Sequence, residues 1–186
     1  VKALSLTQPW ASLVSLGQKR IETRSWPTSY RGELAIHASA RFPVVDRILC
    51  LREPFASALV AGGVPETLWT DGSRGRGADW AALPLGAIVA VAQLVGCIST
   101  EEVTSQQLAR QPAPYQWVID VRRTFLEIPE TECAFGDYSP GRYAWLLEDV
   151  RQLPTPVPCR GALGLWQVPP DVEAMVRQQL AEVVRA

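Results

Sequence analysis

Residues 86–96, GAIVAVAQLVG, constrain the fold more than any other stretch of the chain. A near-continuous apolar run of strand length between glycines must have both faces covered, as at the centre of a closed or well-packed sheet. Other strands are expected to assemble around it. Residues 2–6 alternate weakly, and residues 33–37 (ELAIH) place Leu34 and Ile36 on one face and Glu33, Ala35 and His37 on the other. Residues 142–150 (RYAWLLEDV) follow the turn DYSPG, and residues 162–168 (ALGLWQV) follow a proline-rich connection, LPTPVPCRG. Strands broken by single helices, without regular strand–helix alternation, indicate an α+β fold: a small mixed barrel with helices packed outside.

The helical segments carry their own punctuation. Thr7 is expected to cap a helix with Pro9 in its first turn, Trp10, Leu13, Val14 and Leu16 on one face, and Gly17 at its end. Between residues 43 and 60, Val44, Ile48, Leu51, Phe55 and Leu59 recur at helical spacing around Pro54, which predicts two helices or one kinked helix. DGSRGRG, residues 71–77, reads as a loop, because a phosphate-binding loop requires a Lys-Ser/Thr pair and a following helix. Ser99 or Thr100 with Glu101 and Glu102 predicts a short helix to about residue 109. Pro170 and Asp171 open a last helix with Val172, Met175, Val176, Leu180 and Val183 on one side. No segment repeats another.

Length and charge narrow the function classes. The 186 residues suit one domain, 47% hydrophobic and 20% charged residues are those of a globular protein, and the net charge of −1 supplies no global basic field for nucleic acid. A local patch exists: Lys19, Arg20, Arg24, Arg31 and Arg41 stand against only Glu22 and Glu33. Cys50, Cys97, Cys133 and Cys159 form no CxxC pair, and with a single histidine no metal site and no cofactor are expected. Without a leader or an apolar run of membrane-spanning length, the expectation is a cytoplasmic protein with reduced, buried thiols and no membrane partner.

The chemistry concentrates in residues 17–26, GQKRIETRSW. Of eighteen basic residues only Lys2 and Lys19 are lysines. A compact ammonium differs chemically from a rigid guanidinium fork, which sets Lys19 apart; the competing reading is a solvated cation after a helix end. In an extended segment Glu22 and Arg24 share a face, either as part of a ligand site or as an ion pair that fixes the strand to the helix. Gln8 sits where its amide crosses a helix N-terminus, a position that attracts anions. Trp26 and Tyr30, flanked by turns, are the aromatic ligand candidates, whereas Trp10, Trp145 and Trp166 read as core and His37 as structural.

Gly17, Lys19, Glu22 and Arg24 match the G-x-K-x-x-E-x-R signature of the ASCH domain, a relative of the PUA domain. SLTQPWASL, YRGELAIHAS, GDYSPGRYAWLLEDV and RGALGLW are also similar to bacterial ASCH proteins. The resemblance implies one PUA-like mixed β-barrel of about six strands with flanking helices over residues 1–186. Residues 42–83 would be a helical insertion and residues 170–186 a C-terminal helix.

The resemblance also implies binding of RNA or a nucleotide-like small molecule in a cleft around the motif. Gln8, Gly17, Lys19, Glu22, Arg24, Trp26, Tyr30 and Arg31 are the expected ligand residues. The alternative is a metal-independent hydrolase, either a ribonuclease or an enzyme acting on a modified nucleoside, with Lys19 and Glu22 as catalytic candidates. Family amidohydrolases use a Lys, a Thr three residues later and a distant Glu; here Glu22 stands in the threonine position and Thr23 faces the other way. Lys19→Ala is expected to weaken RNA binding with little effect on melting temperature.

Overall fold

The computed structural model describes residues 1–65, 80–100, 116–120 and 125–185. The elements are β1 (Lys2–Leu6), α1 (Trp10–Ser15), β2 (Ile21–Arg24), β3 (Gly32–Ala38), α2 (Val44–Cys50), α3 (Phe55–Ala61), a 3-10 turn at Trp80–Ala82, and β4 (Ala87–Ser99). They continue with β5 (Gln116–Asp120), β6 (Phe125–Pro129), α4 (Glu130–Ala134), β7 (Tyr143–Pro158), β8 (Leu165–Gln167) and α5 (Pro170–Arg185). Six strands form one mixed sheet in the order β2-β7-β4-β3-β1-β8, and β5 and β6 form an antiparallel pair of their own. β1 runs parallel to β3 and antiparallel to β8, and β2 runs antiparallel to β7. The fold is the expected α+β arrangement of a mixed sheet with flanking helices. The DGSRGRG loop and the helix expected up to residue 109 lie outside the described residues.

The chain groups into two compact units, Val1–Gln18 with Glu33–Ala92 and Asp149–Ala186, and Lys19–Gly32 with Gln93–Glu148. In the first, Ala3, Ala35, Ile88, Val91, Leu153 and Val157 of the strands pack with Val172, Val176 and Leu180 of α5. The four-residue spacing of those three valine and leucine side chains makes one narrow helical stripe. Met175 and Val183, expected on it, are instead 46% and 51% exposed. Two helices replace the single apolar run after Pro43, as expected, but their buried residues are Cys50, Phe55 and Leu59, while Val44 (67% exposed), Ile48 and Leu51 face solvent. Burial raises the Cys50 thiol to about 12. The other three cysteines are free and only partly buried, so the expectation of uniformly buried thiols is corrected.

LPTPVP proves to be strand, not connection: β7 continues through it to Pro158. Leu153 and Val157 point inward while Pro154, Pro156 and Pro158 are exposed. Proline is tolerated in a strand where its edge carries no ladder bond, and β2 pairs with β7 only from Tyr143 to Leu146. The amide of Thr155, between the prolines, is satisfied by the side chain of Gln179 on α5 at 3.0 Å. Glu33 on β3 accepts from Arg151 on β7 at 2.9 Å and from Arg177 on α5 at 3.2 Å. The Arg151 hydrogen bond holds the Glu33 carboxyl below the usual carboxylate range.

α1 ends as the glycine at position 17 suggests. Gly17 has φ +72, its N–H donates to Val14 O, and the Gln18 N–H donates to Leu13 O, which completes a Schellman motif. The start differs from the Thr7 cap: Gln8 accepts the Ser12 N–H through Oε1 at 3.1 Å, and its Nε2 donates to Pro84 O at 2.8 Å.

His37 is structural, with Nε2 2.9 Å from Cys159 O and its ring edge-on to Trp166 at 5.5 Å. Gly161 lies directly against it: a Cβ there would sit 2.4 Å from His37 Cε1 and 2.8 Å from Ser5 Oγ. Both neighbours are held, His37 by Cys159 and Ser5 by hydrogen bonds with Ala162 O and Trp166 Nε1. Gly161→Ala is therefore expected to destabilise the fold by about 2 kcal/mol, as overpacking does. In a thermal melt this is a fall of roughly 4–8 °C in Tm. An unchanged Tm would show that the loop carrying Gly161 yields freely.

Candidate functional site

β2 carries the motif, and its pairing with β7 sets each side chain. Ile21 stands opposite Leu146, Glu22 opposite Trp145, Thr23 opposite Ala144 and Arg24 opposite Tyr143. Ile21, Ala144 and Leu146 form a buried cluster with Val95, Ile98, Cys133 and Tyr138 around it. By strand parity that cluster lies on the face of the pair opposite Glu22 and Arg24.

Lys19 is entirely buried, which removes the reading of a solvated cation after a helix end. Its Nζ donates to Ile21 O and lies 3.8 Å from Glu22 Oε2 and 3.7 Å from Glu132 Oε1. Both carboxylates are buried as well. Glu132, on α4, also accepts the backbone amides of Arg20 at 2.7 Å and Ile21 at 3.1 Å. Burial raises its pKa; the Lys19 charge and the two amides act the other way. Glu132 thus clamps the first residues of β2 from 112 positions along the chain.

Nothing in the local sequence marks this glutamate. It sits in ETECA, one of two acids in a segment with no recognisable spacing to the motif.

Arg24 is the outward member, with a side chain 29% exposed. Its Nη1 lies 3.5 Å from Glu22 Oε1, as their shared strand face predicts, and its guanidinium sits over the Trp26 ring at 5.8 Å from the centroid. Trp26 in turn meets Trp145 edge-on at 4.6 Å, and the Trp145 indole N–H donates to Trp26 O at 3.3 Å. Trp145 is fully buried core, so it holds the half-exposed Trp26 from behind. Arg31 closes the following turn by donating to Thr28 O at 3.1 Å and Tyr30 O at 2.7 Å, and its side chain is exposed. Tyr30 is partly buried.

Thr23 points away from Lys19's carboxylates and is held by hydrogen bonds at its hydroxyl oxygen and its carbonyl. Its Oγ1 accepts the Asp137 N–H at 2.9 Å and its carbonyl accepts from Arg142 Nη2 at 3.3 Å. Gly136 is needed beside it, since a Cβ there would lie 2.6 Å from the Tyr138 ring. The DYSPG turn is tied down by Ser139, whose N–H donates to Asp137 Oδ1 at 3.0 Å, and by Thr100, which donates to Ser139 O at 2.9 Å. The Ser139 hydrogen bonds hold Asp137 below its usual pKa.

The structure therefore brings Lys19, Glu22 and Arg24 into one contact chain, places Trp26 against Arg24, and adds Glu132. Gln8 and Gly17 belong to the first unit and serve α1 there, as its start and its stop. Among the described residues no group of three or more His, Cys, Asp or Glu side chains is placed to hold a metal ion, and no helix is long and apolar enough to cross a membrane.

Burial of Lys19 overturns the expectation that Lys19→Ala leaves the melting temperature nearly unchanged. Removing one member of a buried ion pair costs about 3–5 kcal/mol, because the remaining charge loses its partner. Lys19→Met leaves Glu132 without its cation and Glu22 with Arg24 alone, so its urea midpoint is expected to fall by about 1 M or more. A change within about 0.5 kcal/mol, typical of a surface site, would contradict the burial.

The sequence model of the ASCH domain matches residues 4–154. Human activating signal cointegrator 1 is 31% identical over 104 residues, and the mouse protein 30% identical over 104. Those matches cover 55% of this chain and 15% of each relative, so the chain spans a small part of their length. Among solved structures, the ASCH protein of Zymomonas mobilis is 13% identical with a TM-score of 0.45, covering 97% of this chain and 93% of that one. A mutant of the same protein gives 13% identity and a TM-score of 0.47, with 95% and 96% covered. With its signature residues in place and the domain match running over most of its length, the chain belongs to the ASCH domain family.

Proposed function

We propose that this ASCH domain binds single-stranded RNA or a nucleotide-like ligand at the surface formed by Arg24 and Trp26. The observation that supports this reading is the seating of a partly exposed guanidinium over a half-exposed indole. A guanidinium addresses phosphate through paired N–H donors, and an aromatic face stacks a base. Arg31, Tyr30 and the backbone turn between them extend the same polar and aromatic segment. Lys19 and Glu22 serve this surface from inside: Lys19 holds Glu22, and Glu22 holds Arg24. The net charge of −1 favours a short ligand, because a weak overall field gives little non-specific attraction to long polyanions.

A second reading has one observation behind it. Family amidohydrolases pair the motif lysine with a distant glutamate, and Glu132 stands 3.7 Å from Lys19. The hydroxyl nucleophile is the missing part: Glu22 takes its place, and Thr23 Oγ1 is occupied by Asp137. Lys19 is also enclosed by its partners, as suits a frame better than a reacting group. Incubation with acylated cytidines and mass spectrometry for released acid tests this reading, which predicts turnover that survives a chelator.

The binding reading is checked by fluorescence anisotropy with a labelled single-stranded RNA at a stated salt concentration. Stacking on one aromatic side chain contributes about 1–3 kcal/mol per base, so Trp26→Ala is expected to weaken binding roughly tenfold. Arg24→Ala is expected to weaken it similarly and to reduce the slope of log K against log salt by about 0.7. Wild-type affinity in both variants would place the ligand elsewhere.

A further inference from the structure

We propose that anion binding at Arg24 is linked to proton uptake by the buried carboxylates Glu22 and Glu132, so that the site binds its ligand more tightly as pH falls. The inference rests on the binding reading above and adds its regulation. Its basis is a count of charges in one connected cluster: the Lys19 ammonium lies between two buried carboxylates, and the second cation that balances them is Arg24. Arg24 reaches Glu22 through one contact at 3.5 Å and is the only one of the four side chains with substantial exposure.

A phosphate that engages Arg24 changes this balance in one direction. Whether it draws the guanidinium away from Glu22 or adds its own negative charge beside it, one buried ammonium is left to neutralise two carboxylates. A carboxylate near another negative charge in a low-dielectric site binds a proton more readily. The proton comes from solvent and forms one O–H bond on the pair, with no other bond made or broken. Both carboxylates lie within 3.8 Å of the same ammonium, so either can take the proton.

The groups facing the pair fit this role. β2 and the residue leading into it contribute Glu22, Arg24 and Lys19; α4 contributes Glu132 and Cys133; the turn after α4 contributes Tyr138; and β7 places uncharged Trp145 opposite Glu22 and Tyr143 opposite Arg24. The Tyr138 hydroxyl is buried without a hydrogen-bond partner among the described residues. Burial first, and then the negative charges of Glu132 and Glu22, oppose its ionisation, so it remains a neutral donor beside the carboxylates. Burial raises the Glu132 pKa against the opposing effect of Lys19 and the two backbone amides.

The test is isothermal titration of the protein with a 5′-hydroxyl single-stranded RNA hexamer in two buffers of different ionisation enthalpy, between pH 6 and 8. The 5′-hydroxyl form carries no phosphate monoester to titrate in this range. The expected result is net proton uptake and an affinity about tenfold higher at pH 6 than at pH 8, which corresponds to about half a proton per RNA across the range. Glu132→Gln and, as a second variant if that one folds poorly, Glu22→Gln each leave one carboxylate for one ammonium and should bring the uptake close to zero. Binding with equal heats in both buffers, or uptake retained in the folded variants, overturns the linkage and leaves the binding reading standing. Absence of binding from pH 6 to 8 overturns both.

Discussion

A buried ammonium on Lys19 is the constraint from which the rest of the site follows. Charge in a protein interior is tolerated only when it is paired and hydrogen-bonded. Lys19 meets that condition with Ile21 O and the carboxylates of Glu22 and Glu132. Because Glu132 also takes the amides of Arg20 and Ile21, one side chain neutralises the lysine and fixes the beginning of β2. The arrangement is a specificity device in the physical sense: any register of β2 that moves Lys19 away from Glu132 leaves buried charges without partners.

This divides the motif into an inner and an outer part. Lys19, Glu22 and Glu132 form the inner frame, while Arg24 and Trp26 stand at its edge, with Trp145 behind the indole and Glu22 beside the guanidinium. Preorganisation of this kind reduces the entropy lost when a ligand binds, since the guanidinium and ring already face one another. An exposed arginine held only by solvent would offer the same charge without the geometry. The turn held by Arg31 and the DYSPG turn held by Asp137, Ser139 and Thr100 confine the segments on either side of this strand pair.

Where local pattern decides structure, the sequence was readable. The apolar run that became β4, the glycine stop of α1, the two helices around Pro54 and the stripe of Val172, Val176 and Leu180 all follow from periodicity and capping. The shared face of Glu22 and Arg24 follows from strand parity and is seen as their ion pair. Where a distant element decides, local pattern and structure part. The strand through LPTPVP depends on which edge of β7 remains unpaired, and the exposure of Val44, Ile48 and Leu51 depends on what α2 packs against. Glu132 became visible only with the fold, because its partner lies more than a hundred residues away and its own neighbours carry no pattern. The scarcity of lysine singled out Lys19, yet composition contains no information on burial.

Lys19 is buried inside the proposed site, and the scarcity of lysine makes that burial directly measurable. The chain has two lysines, Lys2 exposed on β1 and Lys19 fully buried. Brief acylation of the native protein with an amine-reactive ester, followed by peptide mass spectrometry, compares the two within one sample. The account predicts rapid modification of Lys2 and strong protection of Lys19, with protection lost in denaturant. Modification of Lys19 in the folded protein at a rate close to that of Lys2 would contradict it.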